Sequence, residues 1–257
     1  MQTLPQRIKR TIKQSGFIVG LVRAARAGTV DLKQLRCLAA RPHQIASYLA
    51  THPVRKLQLG TSHNPLDGWF NTDVVPESAE VTYLDATRTF PFADNVFDYI
   101  ACEHMIEHID HPSALIMLRE SFRVLKPGGR IRIATPNLRA LIGLCAPELT
   151  EAQKKYVDWI AKKLEPEPLD CRAVFVLNNA FRAWGHQFLY DPETLAATMT
   201  LNGFTDLKNY PPGVSDDPNL RGIEAHGREI GNEEINAFET FILEGRVPLD
   251  KPAGKIK

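Results

Sequence analysis

Residues 81–137 read VTYLDATRTFPFADNVFDYIACEHMIEHIDHPSALIMLRESFRVLKPGGRIRIATPN, and their pattern decides the fold. Residues 81–84 are a β-prone run that stops at Asp85. Residues 97–101 are a second apolar run, closed by Cys102, Glu103 and His104. Between Pro112 and Leu125, the residues Leu115, Leu118, Phe122 and Leu125 recur at spacings that put them on one helical face. Pro112 suits the first turn of that helix, and Lys126-Pro127-Gly128-Gly129 stops it and turns the chain. Ile131, Ile133 and Ala134 begin the next strand, which ends at Thr135-Pro136-Asn137. Two short strands joined by a crossover helix make a right-handed βαβ unit of a parallel sheet.

The pattern extends to both sides. Upstream, residues 57–73, LQLGTSHNPLDGWFNTD, hold a candidate first strand ending at Gly60 and a second ending at Asp73. A ligand-binding α/β sheet needs its tightest turn after the first strand, because a small residue lets backbone N–H groups approach the ligand. A carboxylate at the end of the second strand can accept both hydroxyls of a ribose. Downstream, 138–168 is helical in pattern, and Glu165-Pro166-Glu167-Pro168 reads as a loop or hinge. Asp191 and Pro192 start a helix as N-cap and first-turn proline; Asn202-Gly203 ends it, and 204–210 is the sixth strand. Residues 211–236 read as a long loop, 238–247 as a last strand and 248–257 as a flexible tail. Residues 44–50 read as a separate short helix.

The YLDA turn, FPFADNVFDYI, EHMIEH and VLKPGGRIRIATPN together resemble the centre of the class I S-adenosylmethionine-dependent methyltransferases, in their type 11-like form. LQLGTSHNPLDGWFNTD is similar to that family's first glycine motif and second strand. WGHQFLYDPETLAATMTLNGF at 184–204 and IEAHGREIGNEEINAFETFILEG at 223–245 resemble the later part of a bacterial subgroup often linked to surface-polysaccharide synthesis. The resemblance covers roughly 56–247. It implies a Rossmann-like, doubly wound α/β sheet of seven strands, mostly parallel with an antiparallel last strand, behind a helical extension at 1–55. Residues 138–180 would be a helical insertion or lid.

The resemblance also implies S-adenosyl-L-methionine as cofactor. Gly60, Ser62, Asp73, Asp85, Ala86 and Glu103 are the expected cofactor contacts: Asp73 at the ribose, Asp85 and Ala86 at the adenine. Ser62 stands where the family commonly has a second glycine. His104 follows the fourth strand and can serve as a general base for an acceptor hydroxyl; His186 resembles a position near the subgroup's active site. His108, Asn179, Arg221 and His226 are the expected substrate contacts, with Arg221 suited to an anionic group. His104 and His108, four apart, lack a third ligand at a known spacing, so no metal is assigned.

Composition narrows the rest. The chain of 257 residues fits one α/β domain with additions. Its net charge of +1 gives no overall pull towards nucleic acid. Residues 1–56 carry eleven basic residues and one acid, a local +10, against −9 for the remainder. That basic segment suits three roles: a helical extension packed on the domain or a partner, an anchor on the inner face of the membrane, or a targeting segment, which Arg23 truncates. Cys37, Cys102, Cys145 and Cys171 show no metal spacing and fit a reducing cytoplasm. The expected function is methyl transfer to a small-molecule or glycan-like acceptor, by O-methylation, in cell-surface polysaccharide synthesis. A non-catalytic module of the same fold, binding a partner or a membrane surface, is the other reading.

Overall fold

The computed structural model describes residues 16–164 and 173–251. The basic residues before Gly16, the hinge at 165–168 and the end of the tail lie outside the described residues. No described helix is long and apolar enough to cross a membrane. The chain divides into two units between Ser47 and Tyr48.

Helix α1 (Gly16–Thr51) accounts for the described part of the first unit and ends in the second. The short helix expected at 44–50 is the end of α1, which continues through Pro42. A proline removes one backbone hydrogen bond and kinks a helix, but the turns on either side can hold it together.

The second unit is built on one seven-stranded sheet. Its strands are β1 (Lys56–Leu59), β2 (Phe70–Asp73), β3 (Val81–Tyr83), β4 (Phe97–Glu103), β5 (Leu125–Pro136), β6 (Thr205–Tyr210) and β7 (Thr240–Arg246). They lie in the order β3-β2-β1-β4-β5-β7-β6. The first five are parallel, and β7 runs antiparallel between β5 and β6. The doubly wound, mostly parallel α/β sheet expected from the sequence is therefore present. The central strands are the apolar ones: Leu57, Leu59, Ile100, Ile131, Ile133 and Ile242 are all fully buried, as a sheet covered on both faces requires.

Helix α2 (His111–Val124) is the crossover between β4 and β5. The Asp110 carboxylate caps it by accepting from the Ser113 N–H at 2.8 Å, and Pro112 stands in its first turn. Leu118, Phe122 and Leu125 are buried as the spacing predicts. The residues 126–129, expected as a turn, form a bulge within β5: the register with β4 steps from Phe97↔Leu125 to Tyr99↔Arg130. Gly128 there has φ +80°, a conformation glycine adopts without strain.

Beyond β5 come α3 (Leu138–Ile142), α4 (Glu151–Leu164) and α5 (Ala173–Arg182), then α6 (Pro192–Leu201) before β6. Leu141, Tyr156, Val157, Ile160, Val176 and Ala180 form a core of their own with Leu189 and Ile235. The long loop expected at 211–236 contains two short helices, α7 (His226–Ile230) and α8 (Glu233–Glu239). Gly231 at φ +69° ends α7, and the Asn232 side chain caps α8 at the Ile235 N–H.

Candidate active site

Because β1 to β4 are parallel, the residues that follow them gather at one edge of the sheet, where open α/β sheets bind ligands. A cleft of about 410 Å³ opens there, lined by Gly60, Ser62, Asp73, Leu84, Asp85, Ala86 and Thr87, with His104, Met105 and His108 on its other side. Gly60 has φ +69°, and a Cβ on it would lie 2.6 Å from Met105 Cβ. Glycine is required on both counts. Ser62 is left-handed as well, at φ +49°, which is the backbone reason a glycine suits this position.

The Asp73 carboxylate holds this turn in place. It accepts from the Ser62 N–H at 2.9 Å on one oxygen and from the Val75 N–H at 2.8 Å on the other. Each oxygen keeps a second lone pair for a ligand hydroxyl. The Asp85 carboxylate accepts from the Thr87 N–H at 3.0 Å and hydroxyl at 2.6 Å, and pairs with Arg88 at 3.0 Å.

A second cavity of about 730 Å³ adjoins the cleft. Its lining includes His104, Glu107, His108, Trp159, Asn179, Trp184, His186, His226 and Glu239. His104 and His108 line both spaces, so these two rings form the shared wall. The Asn179 side-chain N–H₂ is buried without a hydrogen-bond partner among the described residues. Trp159 and the two lysines of α4, Lys162 and Lys163, border the cavity although nothing in the sequence singled them out. They belong to an amphipathic helix whose pattern records burial, not what a half-buried face adjoins.

His104 is held from several sides. Its Nδ1 lies 3.1 Å from Glu107 Oε1 and its Nε2 lies 3.1 Å from Thr240 Oγ1. The ring stacks on His226 with centroids 3.8 Å apart, and His226 Nε2 lies 3.0 Å from Glu239. Burial opposes charge on His104, but the Glu107 hydrogen bond and carboxylate outweigh it and raise its pKa. Burial likewise acts against charge on Glu107, and His104 outweighs it and lowers the Glu107 pKa. The other Glu107 oxygen accepts from the Thr135 hydroxyl at 3.0 Å.

His186 is arranged differently. Its Nδ1 lies 2.6 Å from the Ala180 carbonyl oxygen. A carbonyl can only accept, so Nδ1 carries the proton and Nε2 presents a lone pair. Burial lowers the His186 pKa. Its ring meets that of His108 edge to face, centroids 5.0 Å apart. Glu107, His108 and His186 offer ligand atoms within 4.8 Å of one another, a set able to hold a metal ion.

Two expected contacts lie elsewhere. Glu103 is not among the residues lining the cleft; its carboxylate accepts from the N–H of Ala225 at 2.8 and 3.0 Å and of His226 at 2.8 Å. The cause is its position at the end of a central strand, beside a chain segment that brings unpaired N–H groups to it. Arg221 is exposed and borders neither cavity; it lies in the loop before α7, where its side chain donates to the Ser215 carbonyl of the same loop at 3.0 Å. His108, Asn179 and His226 all border the larger cavity.

Residues 44–133 match the family model described as a methyltransferase domain. The match covers about a third of the chain, and over that stretch the sequence is similar to methyltransferase domains. The chain is also similar to curated proteins named demethylmenaquinone methyltransferase. The one from Corynebacterium efficiens is 32% identical over 121 residues, 46% of this chain and 46% of the relative. The one from Paenarthrobacter aurescens is 32% identical over 132 residues, 51% of this chain and 47% of the relative. The matches thus span just under half the length of these relatives. Among solved structures, a possible histamine N-methyltransferase from Thermotoga maritima covers 86% of this chain and 95% of its own at 15% identity and a TM-score of 0.46.

Proposed function

We propose that this methyltransferase domain transfers a methyl group from S-adenosyl-L-methionine to an oxygen, or a similar nucleophile, of a small hydroxylated, glycan-like acceptor. The observation that carries this reading is the shared wall: a nucleoside-sized cleft and a larger cavity meet at His104 and His108. The residues of the cleft fit the cofactor. Asp73 has a free lone pair on each oxygen for the ribose hydroxyls, Asp85 and Ala86 stand where the adenine would lie, and the Gly60–Ser62 turn leaves room for the methionine end.

The cofactor supplies an electrophilic methyl group on a sulfonium. The protein's part is to align the acceptor with it and exclude water. Trp159 and Trp184 border the space for a cyclic acceptor, and the Asn179 N–H₂, unpartnered among the described residues, offers a donor to one of its oxygens. Both His104 nitrogens are engaged within the protein, so its role is to hold Glu107. Accommodation of the acceptor's reacting oxygen falls instead to the cluster of Glu107, His108 and His186. The demethylmenaquinone named for the relatives is a second cyclic acceptor to include in any screen.

Titration calorimetry with S-adenosylmethionine and S-adenosylhomocysteine tests the reading. Both should bind in the micromolar range, and Asp73→Asn should weaken both by about tenfold or more, the loss of one or two charge-assisted hydrogen bonds. Absence of binding to the wild-type protein would overturn it.

A further inference from the structure

We propose that Glu107, His108 and His186 bind a divalent transition-metal ion in the wall between the two cavities. Their ligand atoms already lie within 4.8 Å of one another. Around a four-coordinate ion with Zn–N and Zn–O distances near 2.1 Å, such atoms stand about 3.4 Å apart. Rotation of the two imidazoles over that small difference closes the site.

Three independent features support a cation here. The first is the donor set: two imidazoles and one carboxylate suit zinc and its neighbours, whereas magnesium and calcium take oxygen ligands. The second is the layer behind the ligands. The His186 tautomer is set by the Ala180 carbonyl, which turns a lone pair outward, and Glu107 is oriented by the Thr135 hydroxyl and the His104 ring. Metal-binding histidines and carboxylates are oriented by hydrogen bonds of this kind. The third is that the His108 ring has no hydrogen bond among the described residues, although it packs against His186 beside a fully buried carboxylate. A shared cation gives all three groups a common partner.

All three ligands border the larger cavity, so the ion's remaining positions open onto the space assigned to the acceptor. The site deepens the methyl-transfer reading and rests on it for its role: the ion would hold an acceptor oxygen beside the cofactor cleft. Three protein ligands with open positions are the arrangement of catalytic rather than structural zinc sites.

The test uses the full chain without an affinity tag, stripped with a chelator and titrated with Co²⁺, whose visible absorption reports imidazole coordination. One equivalent should bind and be displaced by Zn²⁺. His186→Ala and His108→Ala should each weaken Co²⁺ binding by about a hundredfold, the upper range for disturbing a metal's supporting residues. His186→Gln, which keeps the size and polarity but not the imidazole nitrogen, should lose Co²⁺ affinity like His186→Ala, and His52→Ala, just after α1, should change nothing. Absence of the absorption, or an affinity unmoved by the His108 and His186 variants, would overturn the site. S-adenosylhomocysteine binding is measured on the same samples and should survive His186→Ala. Its absence alongside intact Co²⁺ binding would remove the methyl-transfer reading and leave the cation site standing.

Discussion

The Glu103 carboxylate accepts a hydrogen bond from the His226 backbone N–H at 2.8 Å, joining the end of β4 to the start of α7 across 123 positions of sequence. With the two bonds from the Ala225 N–H, this carboxylate fixes the segment that carries the His226 ring onto His104.

Glu103→Ala should therefore destabilise the fold without touching the cofactor. Loss of an ionised acceptor from two N–H groups costs about 2 kcal/mol, read as a lower midpoint in urea denaturation. Affinity for S-adenosylhomocysteine should stay within about twofold of wild type, RT ln 2 being small on the scale of one hydrogen bond. A selective loss of cofactor affinity would return Glu103 to the cleft.

Ser62→Gly should stabilise the protein. A left-handed non-glycine residue costs about 1–2 kcal/mol, part of which is recovered by the serine's smaller entropy loss on folding. The net gain should be about 0.5–1 kcal/mol by thermal or urea unfolding, with the Asp73 anchor on the residue 62 N–H retained.

The segment before β4 predicts an acid-sensitive clamp. Arg123 donates to the carbonyls of Phe90 at 3.1 Å and Phe92 at 2.8 Å, and pairs with Glu120 at 2.6 Å and Asp94 at 2.7 Å. The Phe90 N–H donates to Glu120 at 2.8 Å. Burial works against the Glu120 charge, but Arg123 and the Phe90 N–H outweigh it and lower its pKa. A carboxylate depressed on folding contributes stability that is complete above its unfolded pKa, about 4.3, and is lost as pH falls through the folded value. Glu120→Gln should thus lower the urea midpoint at neutral pH and narrow the difference between neutral and acidic conditions. A variant that loses stability equally at both would contradict the clamp.

Thiol labelling should separate the cysteines. Cys102 lies in β4, paired with Leu59 and Ile133 and almost wholly buried, and burial pushes its thiol pKa up. Cys145 is exposed. Since the thiolate is the reactive form, an alkylating reagent at neutral pH should modify Cys145 in the native protein and Cys102 only after unfolding. Peptide mapping reads both, and native labelling of Cys102 would contradict its burial in the sheet.

What the sequence revealed was local. The βαβ unit at 81–137 is legible because its helix carries its own signals, Pro112 in the first turn and a helical apolar face, although Gly128-Gly129 forms a bulge within β5 and not the expected turn. Gly60, Asp73 and Asp85 are legible because parallel strands deliver their last residues to one edge. Glu103 was open to misreading for the same reason: it stands at that edge too, but its partners are backbone N–H groups more than a hundred residues away. Arg132 gave no warning either. Between Ile131 and Ile133 it looks like the wet side of a strand, yet it is buried and pairs with Glu224 and Glu244. A basic residue in a central strand can be placed only with its distant acids in view. Pro42 and the helices at 226–239 show the opposite error, in which strong local signals for a break or a loop yield to helix.

The shared wall of His104 and His108 lies within the stretch that matches the family model. Nearly everything on the cofactor side lies between Gly60 and Ile109, inside the stretch that matches the family model. Of the residues bordering the larger cavity, those from Pro136 to Glu239 lie beyond the end of that match, while His104, Glu107 and His108 lie within it. On the proposed reading, donor and acceptor would be held by separate parts of the chain, with only a few residues around position 106 facing both. Chimeras that exchange the chain after Thr135 between this protein and its relatives would then trade acceptors while keeping one methyl donor.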